Sequence, residues 1–185
     1  MIYSDQDMLD AIASGDLLIN PYFPQMLRNV GLALHLGADI LVPDHTTIID
    51  IKNKVLPEYK KFKIEANKPF EIKPGDFVLA HTYESVSISN KLGIMIEGRS
   101  TIARLGLTVV QTAMLVDPGH RNRPITLEIA NHGPNSVLLY PKMKIARAVV
   151  FECKTACKIG YDENGKYRDQ LTVGAPIFED EFLKD

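Results

Sequence analysis

Apolar side chains in this chain recur mostly every second residue, in short runs cut by proline and glycine. Val30, Leu32, Leu34 and Leu36 alternate with Gly31, Ala33, His35 and Gly37. Ile125, Leu127 and Ile129 alternate with Thr126, Glu128 and Ala130. A period of two puts successive side chains on opposite faces, so each run predicts a strand with one buried face. Ile48, Ile49 and Ile51 mark another short run. Lys73-Pro74-Gly75-Asp76 is a turn signal, and FVLAHTYESVSI reads as the strand after it. Val137 to Tyr140 and Ile145 to Phe151 are two more strands, with Pro141 opening the turn between them. Many short strands joined this way predict an all-β sandwich or barrel.

Only the start breaks the period. Ser4 is placed to cap a helix, Asp7 follows three residues on, and Met8, Leu9 and Ile12 form one stripe that Gly15 ends. A chain of 185 residues suits one domain, read as 1–160, with a C-terminal arm over 161–185 where Gly, Asp, Lys and Pro mix.

Charge and composition remove several classes of function. Lys and Arg total 21 against 23 Asp and Glu, a net charge of −2 that disfavours coating a nucleic acid. The run Tyr59-Lys60-Lys61-Phe62-Lys63 lacks a wider basic face and reads as an exposed sheet edge. No apolar run nears the roughly 20 residues of a membrane span, and MIYSDQDMLDAI lacks an export pattern, so a cytoplasmic location is expected. Cys153 and Cys157 are the only cysteines, at a spacing unlike zinc ligands. The five histidines are scattered; His120, next to Asp117-Pro118-Gly119, is the one worth following.

The segment GRSTIARLG carries different chemistry. Ser100 is placed to cap a short helix whose free N–H groups, with Arg99 and Arg104 beside them, make a phosphate cradle. GRSTIARLGL, QTAMLVDPG, ITLEIAN and a later KYRDQ follow in that order. Together with the N-terminal SDQDMLDAI…INP, these strings resemble the dCTP deaminase branch of the dUTPase-like superfamily over most of the chain.

The resemblance implies a distorted jelly-roll (β-clip) subunit, a homotrimer with active sites between subunits, and deoxynucleoside triphosphate substrates with Mg²⁺ held mainly by their phosphates. It implies deamination of dCTP to dUTP and ammonia, with dUTP diphosphatase activity, alone or coupled, as the alternative. A catalytically silent nucleotide-binding trimer is the third reading. The family's general base falls on Glu128, and its other catalytic groups on Ser100, Arg104 and the carbonyl of Ala113. Arg99 and Thr101 match triphosphate contacts. Asp117 matches the sugar 3′-OH contact, or in dUTPases the residue that activates water against the α-phosphate. Gln111 would lie close to the base. Lys166, Tyr167 and Gln170 match the arm that closes over the nucleotide. Inhibition by dTTP is a family property.

The residues bear on the chemistry directly. Deamination at C4 needs an activated water and a proton for the departing amine. Zinc deaminases use H-x-E and P-C-x-x-C ligands, neither of which is present, so no zinc is expected and a carboxylate must take the proton. Glu128 is placed mid-strand on the face opposite Leu127 and Ile129; in a partly dry site its pKa should rise, suiting a base that later acts as an acid. Two features depart from the family pattern. Ala33 stands where an Asp is usual, and PGHRNRP lacks a usual glycine and is one residue longer. Both bear on the sugar pocket or a subunit contact. Ala103 and Met114 resemble the deaminase-only branch.

Overall fold

The computed structural model describes residues 1–179 and 181–182. Helix α1 (Asp5–Ser14) opens the chain. Strands β1 (Leu17–Asn20), β2 (Leu32–His35), β3 (Asp39–Pro43), β4 (Tyr59–Lys63) and β5 (Phe70–Ile72) follow. The long pair β6 (Phe77–Ile88) and β7 (Leu92–Gly98) leads into the one-turn helix α2 (Ser100–Ala103). Then come β8 (Leu107–Thr108), β9 (Leu115–Val116), β10 (Arg123–Asn131), β11 (Val137–Leu139), β12 (Lys144–Glu152) and the short α3 (Tyr161–Asn164).

The strands pair antiparallel in two main sheets. One runs β4-β3-β6-β10-β8 with β1 also on β6, and the other runs β2-β12-β7-β9. A small β5–β11 pair stands apart. Leu34, Ile40, Ile94, Leu127, Ile129 and Val150 belong to one continuous buried core, so the expected mainly-β, jelly-roll-like fold with a short N-terminal helix holds. Pairing of the β6 and β10 ladder slips between Pro124 and Thr126: Ser85 faces Pro124, but His81 faces Thr126. Thr82 fills the gap, its Oγ1 accepting the Ile125 N–H at 2.9 Å.

Helix α1 forms for the reasons its sequence gives. Ser4 and Asp7 make a reciprocal capping box, and Gly15 closes the helix at φ 80°. The stripe is amended, because Leu9 is exposed while Met8 and Ala11 are buried. β4 is the sheet edge its lysines suggested. Two strand expectations change. β2 is short, and its Ala33 is buried along with Leu32 and Leu34, because the strand is covered on both faces. Ile48, Ile49 and Ile51 form no strand; they lie exposed in a turn-rich loop outside the core. None of the described helices is long and apolar enough to cross a membrane.

Candidate active site

The outer face of β10 forms the floor of a cavity of about 510 Å³, walled by the segment 110–117, the Asp117 turn and the C-terminal arm. That volume suits a small-molecule ligand. Strand alternation sets the floor. Leu127 and Ile129 point into the core, so Thr126 and Glu128 face the cavity.

Glu128 is the chemically unusual group. Its Oε2 is buried without a hydrogen-bond partner among the described residues. Burial pushes its carboxyl above the ordinary glutamate range, and backbone groups of Gln111 and of Glu128 itself pull the other way with less effect. A carboxylate set up this way holds a proton more readily than a solvated one, which is what a base that must return its proton needs.

The Asp117 turn is locked to the start of the arm. Tyr161 N–H donates to the Pro118 carbonyl at 2.8 Å, and Asp162 N–H to that of Gly119 at 3.2 Å. Gly119 adopts φ +83°, and a Cβ there would lie 2.6 Å from the Gly160 Cα, so only glycine permits the contact. This juncture brings Asp117, His120 and Tyr161 to one wall. The His120 ring is nearly enclosed, and burial lowers its pKa.

The arm then folds back over the opening. Gln170 Nε2 donates to Thr126 Oγ1 at 2.8 Å, and Thr172 Oγ1 donates to Asp39 Oδ2 at 2.9 Å. Val173 packs on Leu41 and Leu79. Tyr167, Gln170 and the stretch Gly174–Pro176 line the cavity.

One chain thus gathers Glu128, Ala113, Asp117, Tyr167 and Gln170 around one space. It does not bring the α2 residues there. Ser100, Thr101 and Arg104 are exposed, and Arg104 lines a separate concavity with Gly106 and Pro134. Arg104 and Glu128 therefore do not meet within one chain. Ser100 is also not the helix cap. Arg99 takes that position without a side-chain cap bond, and its guanidinium donates to the Lys144 carbonyl at 3.0 Å. Gln111 donates to Thr108 Oγ1, and Lys166 pairs with Glu181 away from the cavity wall.

Comparison with known proteins gives the same family as the sequence strings. A family model described as dCTP deaminase-like matches residues 2–153. The chain belongs to the dCTP deaminase-like family. The dCTP deaminase of Halorubrum lacusprofundi is 36% identical over 178 residues, covering 92% of this chain and 87% of that protein. The "dCTP deaminase, dUMP-forming" of Tropheryma whipplei (strain Twist) is 34% identical over 189 residues, covering 100% of this chain and 96% of that protein. The crystal structure of the 2′-deoxycytidine 5′-triphosphate deaminase from Agrobacterium tumefaciens superposes with a TM-score of 0.62 at 14% identity. That match covers 82% of this chain and 48% of the Agrobacterium chain, and it supports the fold.

The family's departures can now be placed. Ala33 is buried in β2 opposite Arg147 of β12 and is not part of the cavity wall. In the altered loop Asn122 adopts φ +43°, a conformation that glycine takes easily and Asn better than most. Arg123, Tyr161 and Tyr59 also line the cavity, and none of them carries a site role in the sequence: Arg123 stands only in the altered PGHRNRP loop, Tyr59 only in a basic sheet edge, and Tyr161 only at the start of the arm.

Proposed function

We propose that this protein is a dCTP deaminase, converting dCTP and water to dUTP and ammonia for pyrimidine deoxynucleotide (dUTP/dTTP) synthesis in the cytoplasm. The burial-raised carboxyl of Glu128, its Oε2 without a partner among the described residues, on the floor of a nucleotide-sized cavity carries this reading, and the family relation supports it.

In this mechanism Glu128 takes a proton as water oxygen bonds to C4. It passes that proton to N3, then carries the proton of the new C4 hydroxyl to the exocyclic nitrogen; the C4–N bond breaks, ammonia leaves, and C4 remains as a carbonyl beside a protonated N3. The Ala113 carbonyl orients the water. Ser100 and Arg104 act on the Glu128 of a neighbouring subunit in a homotrimer, consistent with their exposure and distance from the cavity of their own chain. Arg99 and Thr101 take the triphosphate. Gln111 lies by the base, and the arm residues Lys166, Tyr167 and Gln170 close over the nucleotide. Mg²⁺ would come with the phosphates and screen their charge. Asp117 is a carboxylate of the wall, exposed enough to meet a water of its hydration shell. Inhibition by dTTP belongs to this reading as a family property.

Product analysis of purified protein with dCTP and Mg²⁺ tests the assignment. Formation of dUTP that vanishes in Glu128→Ala is expected; retained deamination in that variant rejects Glu128 as the base. Mixing inactive Glu128→Gln and Arg104→Gln subunits should restore part of the activity if sites are shared, and no recovery would refute sharing.

One observation favours a second reading. Asp117 shares the cavity with Glu128, and the Tropheryma relative is a dUMP-forming enzyme by name. A bifunctional enzyme would release pyrophosphate from dUTP and lose that release in Asp117→Asn. Ala103 and Met114 favour deamination alone.

A further inference from the structure

Arg123 is a buried cation without a carboxylate partner among the described residues. It opens β10 and is 5% exposed, and its Nε is enclosed without a hydrogen-bond partner. No carboxylate among the described residues forms an ion pair with it, although Asp117 stands on the same wall. Its guanidinium lies 5.7 Å from the centre of the Tyr161 ring. Its carbonyl faces the His120 ring at 3.3 Å. Buried charges are ordinarily paired or hydrogen-bonded, and an exception at a cavity wall calls for a ligand.

We infer that Arg123 is an anion-binding residue of the cavity and takes a phosphate oxygen of the bound nucleotide. This rests on the deaminase reading for the identity of the ligand, but not for its charge. The guanidinium presents a rigid fork of donors that matches phosphate geometry. Part of the surrounding wall is apolar, including Leu79, Ile96 and Val116, and low polarity strengthens such a contact. Tyr161 holds the cation from one side, and the Nε donor has no partner among the described residues. Arg123 also stands in PGHRNRP, where this chain departs from the family pattern, so the contact is additional to the cradle of Arg99 and Arg104.

The test compares binding of dCTP, deoxycytidine and inorganic tripolyphosphate, measured calorimetrically with Glu128→Gln as the parent so that nucleotide is not consumed. Arg123→Gln should shrink the preference for dCTP over deoxycytidine by on the order of 10–100-fold. Arg123→Lys, which keeps the charge and loses the fork, should fall between the two, with a preference several-fold smaller than that of the parent. An unchanged preference in Arg123→Gln overturns the inference, even if both affinities fall, because a merely structural role weakens nucleoside and nucleotide alike. If Arg123→Gln does not melt cooperatively, Arg123→Lys decides: a several-fold smaller preference at an unchanged melting temperature supports the contact, and an unchanged one refutes it. Arg123-dependent tripolyphosphate binding in a protein that does not deaminate dCTP would sink the deaminase reading and leave the anion site standing. Deamination with an unchanged dCTP preference in Arg123→Gln would sink the anion site alone.

Discussion

Replacing Glu128 by Gln should raise stability and lower activity together. The substitution keeps size and shape and removes the charge. In the folded protein Oε2 is buried without a partner, and burial raises the pKa above its ordinary value. The sign follows from proton counting. Between the unfolded and the raised folded pKa, the native state binds more protons than the unfolded state, so stability falls as pH rises through that window. Above it the full cost of a buried carboxylate is present; below both values it is absent. An unmade hydrogen bond on a buried group costs about 1–3 kcal/mol. The amide keeps part of that cost, so about 1 kcal/mol should be recovered, or about 2–4 °C in Tm for a chain this long. Deamination should fall by about 10²–10⁴, the usual worth of a positioned general base. The assay is a melting series from pH 4 to 8, paired with dCTP turnover. The Tm gain should be largest at the alkaline end and fade at the acid end. A variant less stable than wild type at pH 8, or one that deaminates within a few-fold of wild type, refutes the argument.

Other substitutions probe the frame that positions this carboxylate. Glu84 is wholly buried and held by His35, which offers Nδ1 at 2.5 Å and its backbone N–H at 2.9 Å. His35→Ala should cost about 3 kcal/mol by leaving one carboxylate oxygen unanswered, and adding Glu84→Met should recover part of it in urea melts. Gly106 and Gly75 have similar φ, +89° and +84°, but a Cβ on Gly106 meets the Gly133 backbone at 2.4 Å while one on Gly75 meets nothing. Gly75→Ala should therefore cost about 1–2 kcal/mol from backbone strain alone, and Gly106→Ala clearly more, read as the difference between their urea midpoints. Ser4→Ala removes the Oγ that accepts the Asp7 N–H and leaves the backbone N–H of residue 4 on the Asp7 carboxylate, and should cost about 1 kcal/mol in thermal melts.

The sequence carried the sheet positions well where one face is core and the other is not. β10 alternates as its residues do, and that alternation alone aims Glu128 outward. It carried less where burial is two-sided or absent. Ala33 is enclosed in a strand covered on both faces, which a period of two cannot express. Ile48 to Ile51 look like a strand because three isoleucines fall together, yet no strand pairs with them. Ser100 reads as a cap because its type suits the role; the chain enters the helix one residue earlier. Arg123 and Tyr161 were illegible for a different reason. Arg123 opens a strand and Tyr161 starts the arm, neither residue type announces a site, and packing of the arm against the Asp117 turn sets both on the cavity wall. That packing depends on backbone contacts between segments some 40 residues apart, such as Pro118 with Tyr161, and side-chain type does not encode it.

The charges around the cavity then divide by where they come from. Within one chain the floor offers a carboxyl that burial has raised, and the wall offers a guanidinium with no counter-ion among the described residues. The two have opposite needs. Glu128 suits proton transfer because no cation of its own chain is paired with it; one in hydrogen-bond contact would favour its charged form and pull the pKa back down. Arg123 suits an anion for the same reason, since a resident carboxylate would compete with phosphate. A chain that placed Arg104 beside its own Glu128 would hold that carboxylate charged whether or not substrate was present. If Arg104 comes from a neighbouring subunit, as proposed, the base acquires its orienting cation only in the assembled site. The exposure of Arg104, unpaired among the described residues, is therefore what such a division of charge requires.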